Sequence, residues 1–234
     1  MSLFEGILEA FRLIFVLDPY LLRIVALSLR VSGAAIAVGA LCGVPLGTYL
    51  GLKPPERIRL LSKVIYTLMG LPPVVAGLII YLFLSRKGPL GVLGLLHTPT
   101  AIVTAQVFLA LPIITGLTMI GIRGQGKEVR ETAQTLGASS LQTAWTVVRE
   151  ARFAIFGAIV SGFGRVVAEV GAVMIVGGNI ENHTRVMTTA IVLETNKGNF
   201  ELAIGLGIVL LAISFPINSL FYYFIQGGRE EGAG

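Results

Sequence analysis

The chain has 234 residues; 54% are hydrophobic before its 29 glycines are counted, and only 13% are charged. Soluble domains carry about 25% charged residues, so this composition cannot cover a water-facing surface of that kind. Soluble enzymes, nucleic-acid-binding domains and disordered chains are excluded. The net charge of +5 reads as a topology signal, because its basic residues sit in short runs between apolar stretches.

Residues 1–19 come first in the chain. Phe4, Ile7, Leu8, Phe11, Ile14 and Phe15 recur at helical spacing, with Glu5, Glu9 and Arg12 opposite. This pattern predicts an amphipathic helix lying in the membrane interface, with a sixth, short span as the alternative. Glu5 and Glu9, without a basic run before them, do not read as a cleaved signal peptide.

Residues 20–226 form the transmembrane region of a single membrane domain, and 227–234 a cytoplasmic tail. Five segments are long enough to cross a bilayer, approximately Ile24–Leu50, Val64–Leu84, Thr100–Ile122, Phe153–Val176 and Phe200–Ile225; a crossing takes about 20 apolar residues. Pro45, Pro72-Pro73 and Pro112 interrupt the first three, which membrane helices tolerate when neighbours satisfy the freed carbonyls. The expected fold class is therefore all-α, a polytopic membrane helix bundle.

In the first span, Gly39, Gly43, Gly47 and Gly51 repeat every fourth residue. They form a smooth stripe suited to close helix packing. Cys42, the single cysteine, leaves no disulfide or cysteine zinc site within the chain and reads as a small membrane-buried thiol. Arg30 lies inside this span and is one of the few charges outside the loops.

The Lys and Arg distribution orients the spans. Lys53, Arg57, Arg59, Lys63, Arg123, Lys127, Arg130, Arg149, Arg152 and Arg229 fall on one side; Arg86, Lys87, Arg185, Lys197 and Arg12 fall on the other. The first set marks the cytoplasmic side, which places the N-terminus outside and the C-terminus inside.

The cytoplasmic interruption at 123–152 is too long for a tight turn and too short for a domain. Its residues favour helix and predict two short helices meeting near Gly137. Such an elbow at the membrane surface suits the grip of a cytoplasmic partner. Within it, Gly121-Ile-Arg-Gly-Gln-Gly126-Lys127 only superficially resembles a phosphate loop. Glu128 stands where Ser or Thr should hold magnesium, so the chain is not expected to hydrolyse nucleotide itself.

Arg165 and Glu169 lie four residues apart in the fourth span, on one helical face with Gly157 and Ser161. Charges inside hydrocarbon face protein, water or each other. Two readings stand: a pore-lining or gate pair, and a structural ion pair that fixes packing. His97 and His183 fall near outer span ends and read as solvated loop histidines. Neither has a carboxylate at metal-binding spacing nor a serine beside it in a span, so no metal site, protease or other catalytic residue is expected. Asn182-His183-Thr184 matches a glycosylation sequon by chance. The loop Gly177–Asn199 is the longest on the outer side.

Glu131-Thr132-Ala133 followed by Gly137 resembles the EAA-type loop of ABC importer permeases. The Leu-Pro that usually continues the pattern is absent; Val147-Val148-Arg149-Glu150 stands there. Gly162-Phe163-Gly164-Arg165, Glu169-Val170-Gly171-Ala172 and Gly177-Gly178-Asn179-Ile180 resemble the oxyanion permeases for molybdate, sulfate and tungstate. Thr184-Arg185-Val186-Met187-Thr188-Thr189-Ala190-Ile191, with Leu193-Glu194-Thr195 and Gly198, looks most like the tungstate branch, as does Glu150-Ala151-Arg152.

This resemblance implies an ABC importer permease fold, with about five spans, an N-terminal amphipathic helix and a cytoplasmic coupling helix. It implies a homodimer in the cell (inner) membrane, a dimer of cytoplasmic ATPase subunits holding ATP-Mg, and an extracytoplasmic tungstate-binding protein. No cofactor belongs to the chain itself, and nucleic acid is not a partner. Glu131, Thr132, Ala133, Gly137 and Ala138 become the ATPase-coupling candidates. Arg165 and Glu169 become pathway or gate candidates. Thr188 and Thr189 either donate hydroxyls to an oxyanion or cap a helix. The implied function is tungstate translocation, with molybdate or sulfate as the alternative substrate. An ion-coupled secondary transporter and a non-transporting scaffold are the competing classes; the lack of an inverted repeat counts against the first.

Overall fold

The computed structural model describes Arg12, Phe15, Val16 and residues 18–230, with side chains except at 125–128 and 220–230. The amphipathic helix expected over residues 1–19 lies almost wholly outside the described residues. Every regular element among the described residues is helical. In chain order they are α1 (Pro19–Leu52), α2 (Arg59–Met69), α3 (Pro73–Leu84), α4 (Pro99–Thr135), α5 (Ser140–Glu150), α6 (Arg152–Val167), α7 (Gly171–Gly177), α8 (Met187–Lys197) and α9 (Phe200–Glu230). Short 3₁₀ turns, Pro55–Ile58 and Gly91–Leu93, precede α2 and α4.

Helices α1, α4 and α9 are each long and apolar enough to cross a membrane. Pro45, Pro112 and Pro216 lie inside them without ending them. The second and fourth expected spans are different. Each is a bent pair of helices, α2 with α3 and α6 with α7, and not one continuous helix.

Local chemistry explains both breaks. At the first, α2 ends at Gly70, and Pro72 takes extended backbone (φ −59°, ψ 130°). Pro73 then opens α3 at a position where its missing N–H costs nothing. The residue before a proline avoids helical backbone, so the pair Pro72-Pro73 stops one helix and starts another. At the second break, the Glu169 carboxylate accepts the Ala172 N–H at 3.0 Å and so starts α7.

Two compact units are built from these elements. The first comprises Met1–Ala35, Pro72–Phe108 and Gly164–Ile217. Asp18 begins α1 by accepting the N–H groups of Tyr20 and Leu21, both at 2.9 Å. Leu21, Ile24, Met187, Ala190, Leu202 and Leu206 form its apolar cluster. Helices α3 and α7 pack closely; a Cβ on Gly77 would sit 2.7 Å from the Ala172 Cα. The Gln106 amide nitrogen donates to the Val166 carbonyl at 3.1 Å and to Ser32 Oγ at 3.4 Å. The Met187 N–H donates to Ser28 Oγ at 2.7 Å.

The second unit comprises Ile36–Leu71, Leu109–Phe163 and Asn218–Gly234. The glycine stripe of α1 lies here, and it packs within the chain, against α4. A Cβ on Gly47 would come within 2.5 Å of the Thr115 carbonyl oxygen, and one on Gly51 within 2.7 Å of Ile122. Gly39 and Gly43 face Ile114 at 3.2 and 3.1 Å by the same measure. Cys42 lies on the outer surface of this apolar spanning helix, off the stripe.

The outer loop expected at Gly177–Asn199 is also corrected, since α8 occupies half of it. Its start is made by Thr189, whose hydroxyl accepts the Val186 N–H at 3.1 Å. Its end is made by Gly198 in left-handed backbone, φ +78°.

Candidate functional site

The elbow expected at 123–152 is present, with one correction. Its first arm is the last part of α4, which runs unbroken from Pro99 to Thr135. No proline separates Ile122 from Glu131, and Gly124 and the glycine at 126 weaken but do not end the helix.

The corner is a Schellman motif. The Ala138 N–H reaches back to the Ala133 carbonyl at 3.0 Å, and the Gly137 N–H to Gln134 at 3.0 Å. Gly137 occupies the left-handed position, φ +81°, which costs any other residue type about 1–2 kcal/mol. Ser139 then opens α5 through a reciprocal capping box. The Ser139 N–H donates to Gln142 Oε1 at 2.8 Å, and the Gln142 N–H to Ser139 Oγ at 3.4 Å.

One face of α5 anchors the elbow. Val147 is fully buried with Ile122 and Ala151 in an apolar cluster. On the opposite face, Leu141 is 81% exposed and Trp145 69%; they stand four residues apart and share that face. Leu136 at the corner is 81% exposed. Thr132, Ala133 and Ala138 line a groove of about 510 Å³ with Val129, Leu136 and Thr146. Glu131 and Thr132 are exposed beside it, while Ala133 is buried at the groove floor. The structure thus brings all five sequence-predicted coupling residues to one corner. Trp145, the chain's single tryptophan, escaped sequence reasoning. Amphipathic patterning was its available signal, since Thr143 and Val147 mark the buried face.

The second cluster centres on Glu169, whose side chain is 3% exposed. Its Oε2 pairs with Arg165 Nη1 at 2.8 Å. Its Oε1 takes the Ala172 N–H, and its main-chain carbonyl accepts the Thr188 hydroxyl at 2.8 Å. The pair expected from spacing is therefore formed, and it sits at the break between α6 and α7. Arg165 keeps 30% of its side chain exposed.

Thr188 and Thr189 are both buried, and both hydroxyls bind main chain. Thr188 ties α8 to the break; Thr189 contacts both the Val186 N–H and its carbonyl. Thr184 is fully buried as well, donating to the Gly177 carbonyl at 2.6 Å and accepting the Ile180 N–H at 2.9 Å. This Thr184 staple around Gly177 was not foreseen in the sequence, because its partners are main-chain groups that leave no spacing signature. No cluster of three or more metal-ligating side chains occurs among the described residues.

What this arrangement can do is mechanical. A capped elbow offers an exposed apolar face, and an ion pair to a buried carboxylate ties down a break in a spanning segment. Comparison with known proteins agrees. Residues 43–229 match the family described as "Binding-protein-dependent transport system inner membrane component". The chain is 44% identical over 218 residues to "Tungstate uptake system permease protein TupB" of Peptoclostridium acidaminophilum, covering 93% of this chain and 96% of that protein. It is 39% identical over 216 residues to the protein of the same name from Campylobacter jejuni, covering 92% and 90%. A solved structure described as an amino acid ABC transporter with histidines has a TM-score of 0.68 at 18% identity, covering 90% of this chain and 95% of that one. At that identity the likeness speaks for the fold alone. With more than two thirds of its length matched, the chain belongs to the family of binding-protein-dependent transport system inner membrane components, the membrane permeases of ABC importers.

Proposed function

We propose that this chain forms the translocation pathway for tungstate in an ATP-driven importer, as a homodimer. Family membership implies an ATPase partner and a substrate-binding protein, and makes the chain a multi-pass transport component. The substrate reading draws on the printed names of the two permease relatives and on the Thr184–Gly198 run. ATP-Mg belongs to the ATPase subunits, two of which dock on the elbows of the two copies. The binding protein delivers the oxyanion on the opposite side, where Arg86, Lys87, Arg185 and Lys197 lie. The N-terminus is outside and the C-terminus cytoplasmic.

One observation carries the coupling claim: the elbow holds Leu136, Leu141 and Trp145 exposed on an otherwise polar surface. An apolar face whose tryptophan is 69% exposed supports docking of a partner, since aromatic anchors dominate such contacts. The groove beside it is formed from the Glu131–Ala138 segment. Movement of the ATPase subunits then turns the elbow as a rigid body. Arg165–Glu169 holds the α6–α7 break as a gate hinge in the spanning region.

Leu141→Ala with Trp145→Ala tests this. Both side chains are exposed, so the fold and thermal stability should stay unchanged within about 0.5 kcal/mol. ATPase stimulation by the loaded binding protein, and uptake, should fall at least tenfold. Unchanged uptake would remove the elbow from the coupling path.

A further inference from the structure

The first unit also holds a cavity between α1 and the segment before α8. It encloses about 250 Å³ and is lined by Tyr20, Arg23 and Arg30 of α1 and by Asn182, His183 and Arg185 of the segment before α8. Positions 20, 23, 27 and 30 fall on one stripe of α1, and this stripe faces the cavity. Arg30 lies about 16 Å along the helix from Pro19. Helical side chains lean towards the N-terminal end, which carries the Arg30 guanidinium up towards Arg23 and Tyr20.

Three arginines, Arg23, Arg30 and Arg185, line this cavity. Arg185 is 9% exposed. Its Nη1 contacts the Tyr20 hydroxyl and lies 3.3 Å from Glu181 Oε2, and its Nη2 donates to the Asn179 carbonyl at 3.4 Å. Its Nε is buried with no partner. Arg23 donates to the Pro19 carbonyl at 3.0 Å and to Asn182 Oδ1 at 3.3 Å. Arg30 has no hydrogen-bond or ion-pair partner among the described residues, though it lies within an apolar spanning helix. One exposed carboxylate, Glu181, therefore answers three cations.

We infer that this cavity is a binding site for a tetrahedral oxyanion group. Guanidinium forks match phosphate-like oxygens in pairs, and Arg is less strongly hydrated than Lys, so it suits a site partly out of water. Arg30, which has no partner among the described residues and an exposed side chain, and Arg23 at the cavity wall are the donors that such a group would satisfy. Two sources share this chemistry: the phosphate of an anionic lipid headgroup, drawn to basic pockets between membrane helices, and a free oxyanion entering from solution. The site stands whichever species is transported.

The test uses the full chain with its ATPase subunits in lipid nanodiscs. One arm counts phosphatidylglycerol retained through delipidation, by native mass spectrometry. The other measures tungstate binding by calorimetry in phosphatidylcholine nanodiscs. Arg30→Gln and Arg23→Gln should each weaken the bound species about tenfold or more, the loss expected for one charged hydrogen-bonding group. Arg59→Gln, exposed and outside the cavity, should change neither. Loss confined to the lipid arm identifies a headgroup site, and loss confined to the tungstate arm a free-oxyanion site. Either loss supports the inference. Should Arg30→Gln fail to fold, Arg23→Gln at the exposed mouth decides alone. Wild-type affinity for both probes in the folded variants overturns the inference, as does a wild-type complex that binds neither.

Discussion

Glu169 does three jobs at one position. One carboxylate oxygen pairs with Arg165, the other starts α7 at Ala172, and the main-chain carbonyl holds Thr188. Its removal therefore loses more than the ion pair. Arg165→Ala leaves a buried carboxylate with its backbone contact intact, while Glu169→Ala also frees the start of α7. In thermal unfolding of the purified protein, both single changes should destabilise by about 1–3 kcal/mol, Arg165→Ala by stranding the buried carboxylate and Glu169→Ala by also removing the acceptor of the Ala172 N–H. The pair should also show a coupling energy of about 0.5–3 kcal/mol in a double-mutant cycle. Single effects that simply add would contradict this arrangement. The i,i+4 spacing made the pair legible in the sequence. The cap and the Thr188 contact were not legible, because they involve main-chain groups brought together by folding. Thr188 and Thr189 illustrate the same limit: their residue type allowed both oxyanion donation and capping, and only the packing shows their hydroxyls on main chain.

Among the elements, the glycine stripe of α1 has the clearest physical cause. Gly47 has no room for a Cβ, with the Thr115 carbonyl 2.5 Å from where it would sit, whereas Gly33 on the same helix has nothing within 4 Å. Gly47→Ala should destabilise the protein by about 1–3 kcal/mol through overpacking. Gly33→Ala should be neutral or stabilising, by up to about 1 kcal/mol, since alanine is the better helix former. Equal melting temperatures for the two variants would remove the stripe as a packing contact. Apolar length sufficed to place the spans. It did not reveal that α2–α3 and α6–α7 are broken pairs, because a proline or a buried carboxylate inside an apolar run is compatible with both a kink and a break. Helix α8 stayed hidden within a loop for a related reason: its residues are too mixed in polarity to announce a helix, and its start depends on the Thr189 hydroxyl. Conversely, Gly137 was singled out from its motif, and the Schellman geometry supplies the reason that glycine stands there.

For the whole molecule, the scarcity of charge acquires a spatial meaning. Ten cations on one side against five on the other set the proposed topology, and the elbow lies on the richer side. In a variant with Cys42→Ser, an impermeant thiol reagent applied to intact cells should label Lys87→Cys and spare Lys53→Cys. The reverse pattern would invert the topology and move the elbow away from any cytoplasmic ATPase. Uptake itself tests the central claim most directly. Proteoliposomes holding the chain, its ATPase subunits and its binding protein should accumulate tungstate only while ATP is hydrolysed, and omission of the ATPase should abolish accumulation. Tungstate accumulation by the chain alone, driven by an ion gradient, would contradict the account.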